Sequence, residues 1–566
     1  MSYIGLNRGG RERARFFLLP ESIDDLGQAG AFVHDVVDAV GRRPLIEATE
    51  EFSANWAVRL GLERLRIEGI PLASYVDLQF KFRLNFLLML LEFARQAVSR
   101  ERPDTAVLSG LFPEEQQVLS HAFRSLGVKV EVKTRRERGG MDGIPFRLKA
   151  RLRRISQVSL PRYGRYVRRM VRLEVAPAVR EDPRILVVDS YALTPEAFRY
   201  LKGRGVLLHV MDNDRAIKKI LLQAGVPFRS IGLKGTPPAD WPARDELRFP
   251  DEGVSWFTYR GIPFFPLVEK TVRWAIWNVA PRLFSYRSLP GEGLRRIVLR
   301  DQNFAEGKML VWIARKAGIP TVMLQHGPTM GDYGYLPMDA DVFVTWGEET
   351  RRWMEERGVE RSRLEVIGSP RFDSYTGAVR PVETRRFGKT ILLVFESTEY
   401  HGEDSPLDNY RFLRLVLDAI APLDGWEVVV RFHPGQTIEE REACWRVVRP
   451  LAPRVRIDHE MSLSKSLDKV DVVVTEASTV GMEGLLHGKL LIVVPTHRFE
   501  GNPYRMTDAF PRLRTAEEIR DCLKRWEDSE RNRHDAREEA KRFLDGYLYR
   551  DDEPASVRFW KYCLGE

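Results

Sequence analysis

The sequence is poor in cysteine and has no long apolar run, and both shortages exclude classes of protein. Only three cysteines occur in 566 residues, and none forms a C-x-x-C pair, so we expect neither a disulfide framework nor a zinc ribbon. The longest apolar run, residues 84–94, is interrupted by Asn85 and Glu92. It is shorter than the roughly 20 residues that span a bilayer, and it predicts a buried helix instead.

Several catalytic and targeting signatures are also missing. H-E-x-x-H, G-x-S-x-G and G-x-G-x-x-G do not occur; these patterns carry zinc, serine-nucleophile and dinucleotide chemistry. Residues 1–20 contain only a very short apolar stretch, which is unlike a secretory signal peptide. The scarcity of cysteine fits a reducing cytosol, and we expect a cytoplasmic protein and no metal.

The positive charge is concentrated in one segment. The formal net charge is +9, but residues 133–174 contain 14 Lys and Arg against 3 Asp and Glu, so the rest of the chain is close to neutral. Apolar residues recur there at helical spacing, which predicts a basic amphipathic segment that could dock on the inner face of the cell membrane. A solvated connector is the alternative. Nucleic-acid binding is not expected, because no aromatic platform accompanies the charge.

Apolar strand runs alternate with amphipathic helices in two successive series, and this alternation is typical of parallel sheets covered on both faces. The sequence therefore predicts an α/β protein with two tandem Rossmann-like domains and an N-terminal helical and α/β extension. The predicted segments are an extension or part of the first Rossmann domain at 1–132, the basic segment at 133–182, Rossmann-like domains at 183–378 and 384–550, and a C-terminal helix at 551–566 that could cross back to the first domain.

Polar side chains follow several of the predicted strands, where the carboxyl ends of parallel strands line a cleft. Gln325, His326 and Gly327 follow one strand, and an imidazole at such an edge can act as a base or hold an oxyanion. A turn histidine bonded to the backbone is the alternative. Glu396 and Ser397 follow the first strand of the second series and are expected to line the same cleft.

A second loop combines Arg431, His433, Pro434 and Gly435 directly after a strand. Neighbouring Arg and His side chains suit a phosphate or diphosphate through charge-assisted hydrogen bonds. The loop is therefore predicted to bind phosphate, with ordinary turn chemistry as the alternative.

A third loop runs into a predicted helix and contains Glu476, Ser478, Thr479 and Glu483. At a helix N-terminus, free N–H groups and the helix dipole favour an anion. Glu483 lies one turn further, where a carboxylate can accept hydrogen bonds from ribose hydroxyls. The alternatives are simple N-capping for the hydroxyl residues and a solvated position for Glu483.

The triplet Asp212-Asn213-Asp214 fits a pattern that binds metal-chelated nucleotides in one class of glycosyltransferases. Such triplets also arise by chance. We favour the simpler interpretation that Asp214 caps the following helix.

Two strings add a resemblance to these patterns. The segment GIPTVMLQHG, at 318–327, followed by VIGSPRFD, at 366–373, resembles bacterial capsule and surface-polysaccharide biosynthesis proteins of the GT-B glycosyltransferase superfamily. That group includes Kdo- and sialic-acid-type transferases and the CDP-glycerol glycerophosphotransferases. The resemblance implies an acceptor-side first domain and a nucleotide-donor second domain.

The resemblance also assigns roles to residues of the second series. His433 and Pro434 match a motif that contacts the donor nucleotide, Ser478 and Thr479 match a pair that holds the donor phosphate, and Glu483 matches a glutamate often found on the ribose. The resemblance implies a nucleotide-sugar donor and no cofactor.

The catalytic base is not fixed by the resemblance, because the first series has no clear acidic base motif. His326 and Asp301 compete for that role. The resulting hypothesis is a glycosyltransferase that moves a sugar from a nucleotide-sugar donor to a surface polysaccharide or lipid-linked glycan. The alternatives are glycerophosphate transfer from CDP-glycerol, a UDP-sugar 2-epimerase and a non-catalytic scaffold for membranes or polyanions.

Overall fold

A computed structural model of the chain describes most of its length. The described residues are 3–18, 32–38, 43–111, 113–133, 184–188, 192–244, 246–329, 335–375, 387–395, 406–433, 436, 438–451, 453–458, 462–494, 504 and 510–566. The predicted basic segment lies outside them except for Lys133, and so do Pro434, Gly435, Glu396 and Ser397.

The strands are short and mostly apolar. In chain order they are β1 (Tyr3–Arg8), β2 (Arg11–Phe16), β3 (Arg66–Ile67), β4 (Ile70–Pro71), β5 (Thr105–Ser109), β6 (Lys129–Lys133), β7 (Arg184–Val188), β8 (Leu207–Met211), β9 (Phe228–Ile231), β10 (Thr258–Tyr259), β11 (Ile262–Pro263), β12 (Arg296–Leu299), β13 (Thr321–Leu324), β14 (Val342–Thr345), β15 (Leu364–Val366), β16 (Thr390–Val394), β17 (Glu427–Arg431), β18 (Val455–Ile457), β19 (Val472–Thr475) and β20 (Leu490–Val493).

The α-helices separate these strands. They are α1 (Val33–Asp38), α2 (Arg43–Arg59), α3 (Leu72–Glu101), α4 (Pro113–Ser125), α5 (Arg215–Ala224), α6 (Asp251–Trp256), α7 (Phe265–Trp274), α8 (Ala280–Ser285), α9 (Ala305–Ala317), α10 (Glu348–Glu355), α11 (Pro406–Ile420), α12 (Ile438–Val448), α13 (Leu463–Leu467), α14 (Thr479–Leu486), α15 (Ala516–Asp528), α16 (Glu530–Tyr547) and α17 (Ala555–Leu564).

The predicted fold class is confirmed. Parallel strands alternate with helices in two tandem Rossmann-like series, at 184–366 and 390–493. An α/β extension precedes them, with the strand order β2-β1-β5-β6. The predicted buried helix is also confirmed, because residues 84–94 lie within α3 and Leu84, Leu87, Leu88, Leu90 and Leu91 are fully buried.

The chain divides into two compact units. The first contains residues 1–150, 238–280 and 395–458, and the second contains 151–237, 281–394 and 459–566. The predicted segment boundaries are not tested by this division and stay predictions.

Aromatic packing joins distant segments within the first unit. Phe52 of α2 contacts Trp256, Phe257 and Phe264, with ring centroids 4.8–5.9 Å apart. Helix α6 approaches the end of α2 so closely that a Cβ on Gly253 would lie 2.0 Å from the nearest backbone oxygen. The region 238–280 is therefore part of the core around α2 and α3.

The second unit is built around a seven-stranded parallel sheet in the order β15-β14-β13-β12-β7-β8-β9. The parallel strands β16, β19 and β20 belong to the same unit. The C-terminal helix α17 packs on the first series, where Trp560 is fully buried and its Nε1 donates to the carbonyl oxygen of Ala197 at 2.7 Å. Among the described residues, no helix has the length and apolar character needed to cross a membrane.

Candidate functional site

The candidate residues that the structure describes lie in both units. Arg431 and His433 belong to the first unit. The second unit contains the remaining described candidates: Asp301, Gln325, His326, Gly327, Glu476, Ser478, Thr479 and Glu483.

Internal hydrogen bonds fix the loop that carries His326. The fully buried strand β13 ends just before Gln325, whose side chain is also fully buried. Its Oε1 accepts from the Trp346 backbone N–H at 2.6 Å, and its Nε2 donates to the Gly327 carbonyl oxygen at 3.0 Å. Gln325 therefore holds the loop in shape from inside the protein.

Tyr335 supports the same loop, and the sequence patterns did not single it out. Its hydroxyl donates to the Gly327 carbonyl oxygen at 2.9 Å and accepts from the Gly327 N–H at 3.0 Å. Its ring centroid lies 5.5 Å from that of His326. The imidazole is thus held beside a buried aromatic ring, which limits its conformations.

The environment of His326 keeps its imidazole neutral. The ring is half-buried, and its Nδ1 is buried without a hydrogen-bond partner among the described residues. The imidazole donates to the backbone carbonyl of Arg300, and burial, followed by the charges of Arg300 and Arg371, lowers its pKa to about 4. At neutral pH, Nδ1 therefore carries a lone pair that can accept a proton.

Asp301, the rival candidate for the base, already has structural partners. Its Oδ2 accepts from Nη2 of Arg300 at 3.1 Å, and its Oδ1 accepts from the Phe304 N–H at 3.4 Å, at the start of α9. The carboxylate thus pairs with a guanidinium and helps begin a helix. This arrangement favours His326 over Asp301 as the base.

The N-terminus of α14 lies next to the His326 loop. A Cβ on Gly327 would lie 3.7 Å from Oγ1 of Thr479. Ser478 is the N-cap of α14, and its Oγ accepts from the Val480 N–H at 3.3 Å. Ser478 therefore caps the helix, which was the alternative to phosphate binding. Thr479 is partly exposed beside the loop.

A hydrogen bond from Tyr504 stabilises this helix N-terminus. Its buried hydroxyl donates to the Ser478 carbonyl oxygen at 2.9 Å. A Cβ on Gly481 would lie 2.8 Å from the same hydroxyl, so only glycine permits this approach. No sequence pattern indicated Tyr504, because it contacts α14 from a distant part of the chain.

Glu483 is buried, and it pairs with an arginine that the sequence analysis did not propose for the site. Nη2 of Arg371 donates to Oε1 of Glu483 at 2.5 Å, and their side chains are 25% and 7% exposed. Arg371 lies in the 3₁₀ turn Pro370–Tyr375 that follows β15. The solvated alternative for Glu483 is therefore wrong. The signal for Arg371 was its place in the string at 366–373, which carried the family resemblance.

The C-terminal helix holds the turn of Arg371 in place. The carboxylate oxygens of Asp373 accept from the N–H groups of Ala555 and Ser556 at 2.8 and 2.9 Å. Asp373 therefore caps the first turn of α17 from two residues beyond Arg371.

The other candidates have internal contacts. Glu476 is buried at the end of β19. In the first unit, Nη1 of Arg431 pairs with Oδ2 of Asp458 at 2.5 Å, and the Asp458 side chain is 4% exposed. The backbone of His433 is held by Gln436, whose Oε1 accepts from the His433 N–H at 3.1 Å. The Arg431 guanidinium thus stabilises the end of β17. This contact agrees with the structural alternative to phosphate binding.

The interpretation of the Asp212–Asp214 triplet as structural is confirmed. Oδ1 of Asp214 accepts from the N–H groups of Ala216 and Ile217 at 3.1 and 3.0 Å, which caps α5. Oδ1 of Asp212 accepts from Nζ of Lys218 at 3.1 Å.

Comparison with solved structures shows distant likenesses. One is a UDP-GlcNAc 2-epimerase from Neisseria meningitidis bound to UDP-GlcNAc, with 10% identity, coverage of 68% of this chain and 100% of that chain, and a TM-score of 0.46. Another is a glycosyltransferase from Rickettsia africae, with 10% identity, coverage of 68% and 98%, and a TM-score of 0.41. A third is the calicheamicin glycosyltransferase CalG4, with 14% identity, coverage of 68% and 99%, and a TM-score of 0.39.

No protein-family model matches the sequence, and no curated protein matches it either. The solved structures are too dissimilar for an activity or a substrate to be transferred to this chain.

Proposed function

We propose that this protein is a GT-B-type glycosyltransferase that moves a sugar from a nucleotide-sugar donor to a surface polysaccharide or lipid-linked glycan. One observation carries the proposal: Nδ1 of His326, which has no hydrogen-bond partner in the described part of the chain, belongs to a loop that lies against the N-terminus of α14. A proton acceptor and an anion-binding helix end are the two groups that such a transfer needs.

The proposed reaction is a displacement at the anomeric carbon of the donor sugar. An acceptor hydroxyl gives its proton to Nδ1 of His326 while its oxygen forms the new bond to the anomeric carbon. The bond from that carbon to the phosphate oxygen breaks, and the nucleotide leaves with the electron pair. The α14 dipole and the Thr479 hydroxyl stabilise the leaving phosphate, and the ribose hydroxyls donate to Glu483. In this proposal the partial positive charge at the N-terminus of α14 stabilises the leaving phosphate, so no metal is required.

The first experiment is a thermal-shift screen with CMP, CDP and UDP, followed by turnover of the matching sugar nucleotides. His326→Asn should reduce turnover at least ~100-fold, because general-base catalysis contributes about 10²–10⁴, while nucleotide affinity stays within about threefold. His534→Asn is the matched control, because His534 is exposed on α16. Full turnover by His326→Asn would disprove the role of His326.

The same assays distinguish the alternative reactions. Transfer of glycerophosphate from CDP-glycerol, or isomerisation of a sugar nucleotide without any acceptor, would replace the glycosyltransferase proposal. His433→Ala should weaken nucleotide binding, and an unchanged affinity would remove His433 from the donor site.

We further propose that residues 133–174 hold the enzyme at an anionic membrane surface through their net charge of +11. Each Lys or Arg near such a surface contributes about 1 kcal/mol. Flotation with phosphatidylserine vesicles should therefore carry the full chain, and a variant without residues 133–174 should stay at the bottom of the gradient. Equal flotation of both would refute membrane docking.

A further inference from the structure

Arg371 pairs with Glu483 one turn beyond the N-terminus of α14. Glu483 follows Thr479 by four residues, so both side chains lie on one face of α14. The Arg371 guanidinium covers that face, because it pairs with Glu483 at 2.5 Å. It also influences the His326 imidazole electrostatically. Arg371 therefore belongs to the same cluster as the proposed base and the phosphate-binding helix end.

In this structure, both arginines near His326 are paired with carboxylates. Arg300 pairs with Asp301, and Arg371 pairs with Glu483. The proposed function gives Glu483 a different partner, since it assigns the donor ribose to this carboxylate. Ribose hydroxyls bound to this carboxylate would compete with the guanidinium for its oxygens.

We propose that Arg371 exchanges Glu483 for the diphosphate of the donor, and that this exchange selects diphosphate-linked over monophosphate-linked donors. The inference rests on the proposed function, because it takes the ribose assignment of Glu483 from it. Arg371 and Glu483 then pair only in the absence of the donor. When the donor binds, Arg371 contacts the diphosphate and Glu483 contacts the ribose.

The chemistry of the two side chains supports the exchange. A guanidinium presents parallel N–H donors that match two phosphate oxygens, and a diphosphate offers more oxygens and charge than a monophosphate. Arg371 is the more exposed partner, so a ligand reaches it first. Glu483 is nearly buried, and removing its cation without replacement would be costly. Ribose hydroxyls at Glu483 therefore make the exchange more favourable than diphosphate alone does.

The test is calorimetric titration of the full chain with inorganic diphosphate, CMP, CDP and UDP. Arg371→Gln should weaken binding of inorganic diphosphate and of the preferred nucleoside diphosphate at least tenfold, and binding of CMP less than threefold. Arg352→Gln is the matched control, because Arg352 forms an exposed ion pair with Glu349 on α10; it should leave every affinity within twofold.

Glu483→Gln should change the diphosphate affinity in the opposite direction. This variant therefore separates the proposed exchange from a merely structural role of Glu483. It removes the anion that competes for Arg371, so affinity for inorganic diphosphate should rise at least threefold, while circular dichroism confirms the fold. A decrease in that affinity would mean that Glu483 is needed to position Arg371, and it would overturn the exchange. Equal affinities of Arg371→Gln and Arg352→Gln for inorganic diphosphate would also overturn the exchange.

Failure of the proposed function has a different signature. In that case none of the nucleotides would bind the wild-type protein, whereas inorganic diphosphate would still report on Arg371. Arg371→Lys keeps the charge but lacks the paired donors, so it should recover part of the diphosphate affinity lost in Arg371→Gln. No recovery would contradict a charge-based contact.

Discussion

Replacing His209 by leucine should remove part of the acid sensitivity of the fold. His209 lies in the middle of β8 and is fully buried between Leu186 of β7 and Arg229 of β9. Neither of its ring nitrogens has a hydrogen-bond partner among the described residues. Burial, followed by the charges of Arg229 and Arg184, lowers its pKa to about 4.

The sign and size of the effect follow from this pKa. An unfolded histidine titrates near 6.5, so between pH 6.5 and 4 the unfolded chain binds a proton that the folded chain excludes. The stability is therefore complete above about pH 6.5, and it is lost as the pH falls toward 4. A difference of about 2.5 between the two pKa values corresponds to about 3 kcal/mol. Leucine cannot bind this proton, and it also removes two unsatisfied buried polar atoms.

Urea denaturation of the wild type and His209→Leu at pH 7 and pH 4.5 measures this contribution. At pH 7 the variant should be at least as stable as the wild type, because it lacks the two unsatisfied polar atoms, and it should lose about 2 kcal/mol less on acidification. His534→Leu, on the exposed face of α16, is the control and should lose as much as the wild type. Equal losses in His209→Leu and the wild type would refute the assigned pKa of His209.

Three further predictions concern the second unit. Trp560→Ala should lower the free energy of unfolding by about 3–5 kcal/mol, because this buried ring joins α17 to the first series; Trp274→Ala, on an exposed ring, should change the melting temperature little. Gly481→Ala should weaken nucleotide binding in calorimetry by displacing a tyrosine hydroxyl, whereas Gly546→Ala meets no neighbour and should bind normally. Asp373→Asn should cost about 1 kcal/mol of capping energy and increase hydrogen exchange in the first turn of α17.

The strands and their order along the chain could be predicted because their signal is local. Apolar runs such as β13 and β19 are fully buried, and helix α14 follows β19 as the sequence indicated. Capping is also local, so the cap of α5 by Asp214 was visible in the sequence. The apolar residues after Glu483 likewise indicated that α14 is buried.

Partners that lie far apart in the sequence could not be predicted. Arg371 and Glu483 are 112 positions apart, and Arg431 meets Asp458 over 27 positions. Arg371 follows β15 and Arg431 ends β17, so both arginines lie at strand ends and the sequence could not tell which one faces α14. Tyr504 contacts Ser478 over 26 positions and fills the space that Gly481 leaves open. These contacts depend on how the loops pack, which no short pattern encodes.

His209 and His326 together show why a perturbed pKa does not by itself identify a base. Burial and neighbouring arginines lower the pKa of each to about 4, and each has a ring nitrogen without a partner among the described residues. His209 lies within a strand that has a neighbour on each side, so no substrate can reach it. His326 follows the end of β13, is half-buried, and lies in a loop beside the partly exposed Thr479. The two differ in position along a strand, and only the histidine at the strand end is partly exposed. The lowered pKa is therefore a cost in acid for His209, whereas for His326 the proposed role as base rests on its position at a strand end and not on its pKa.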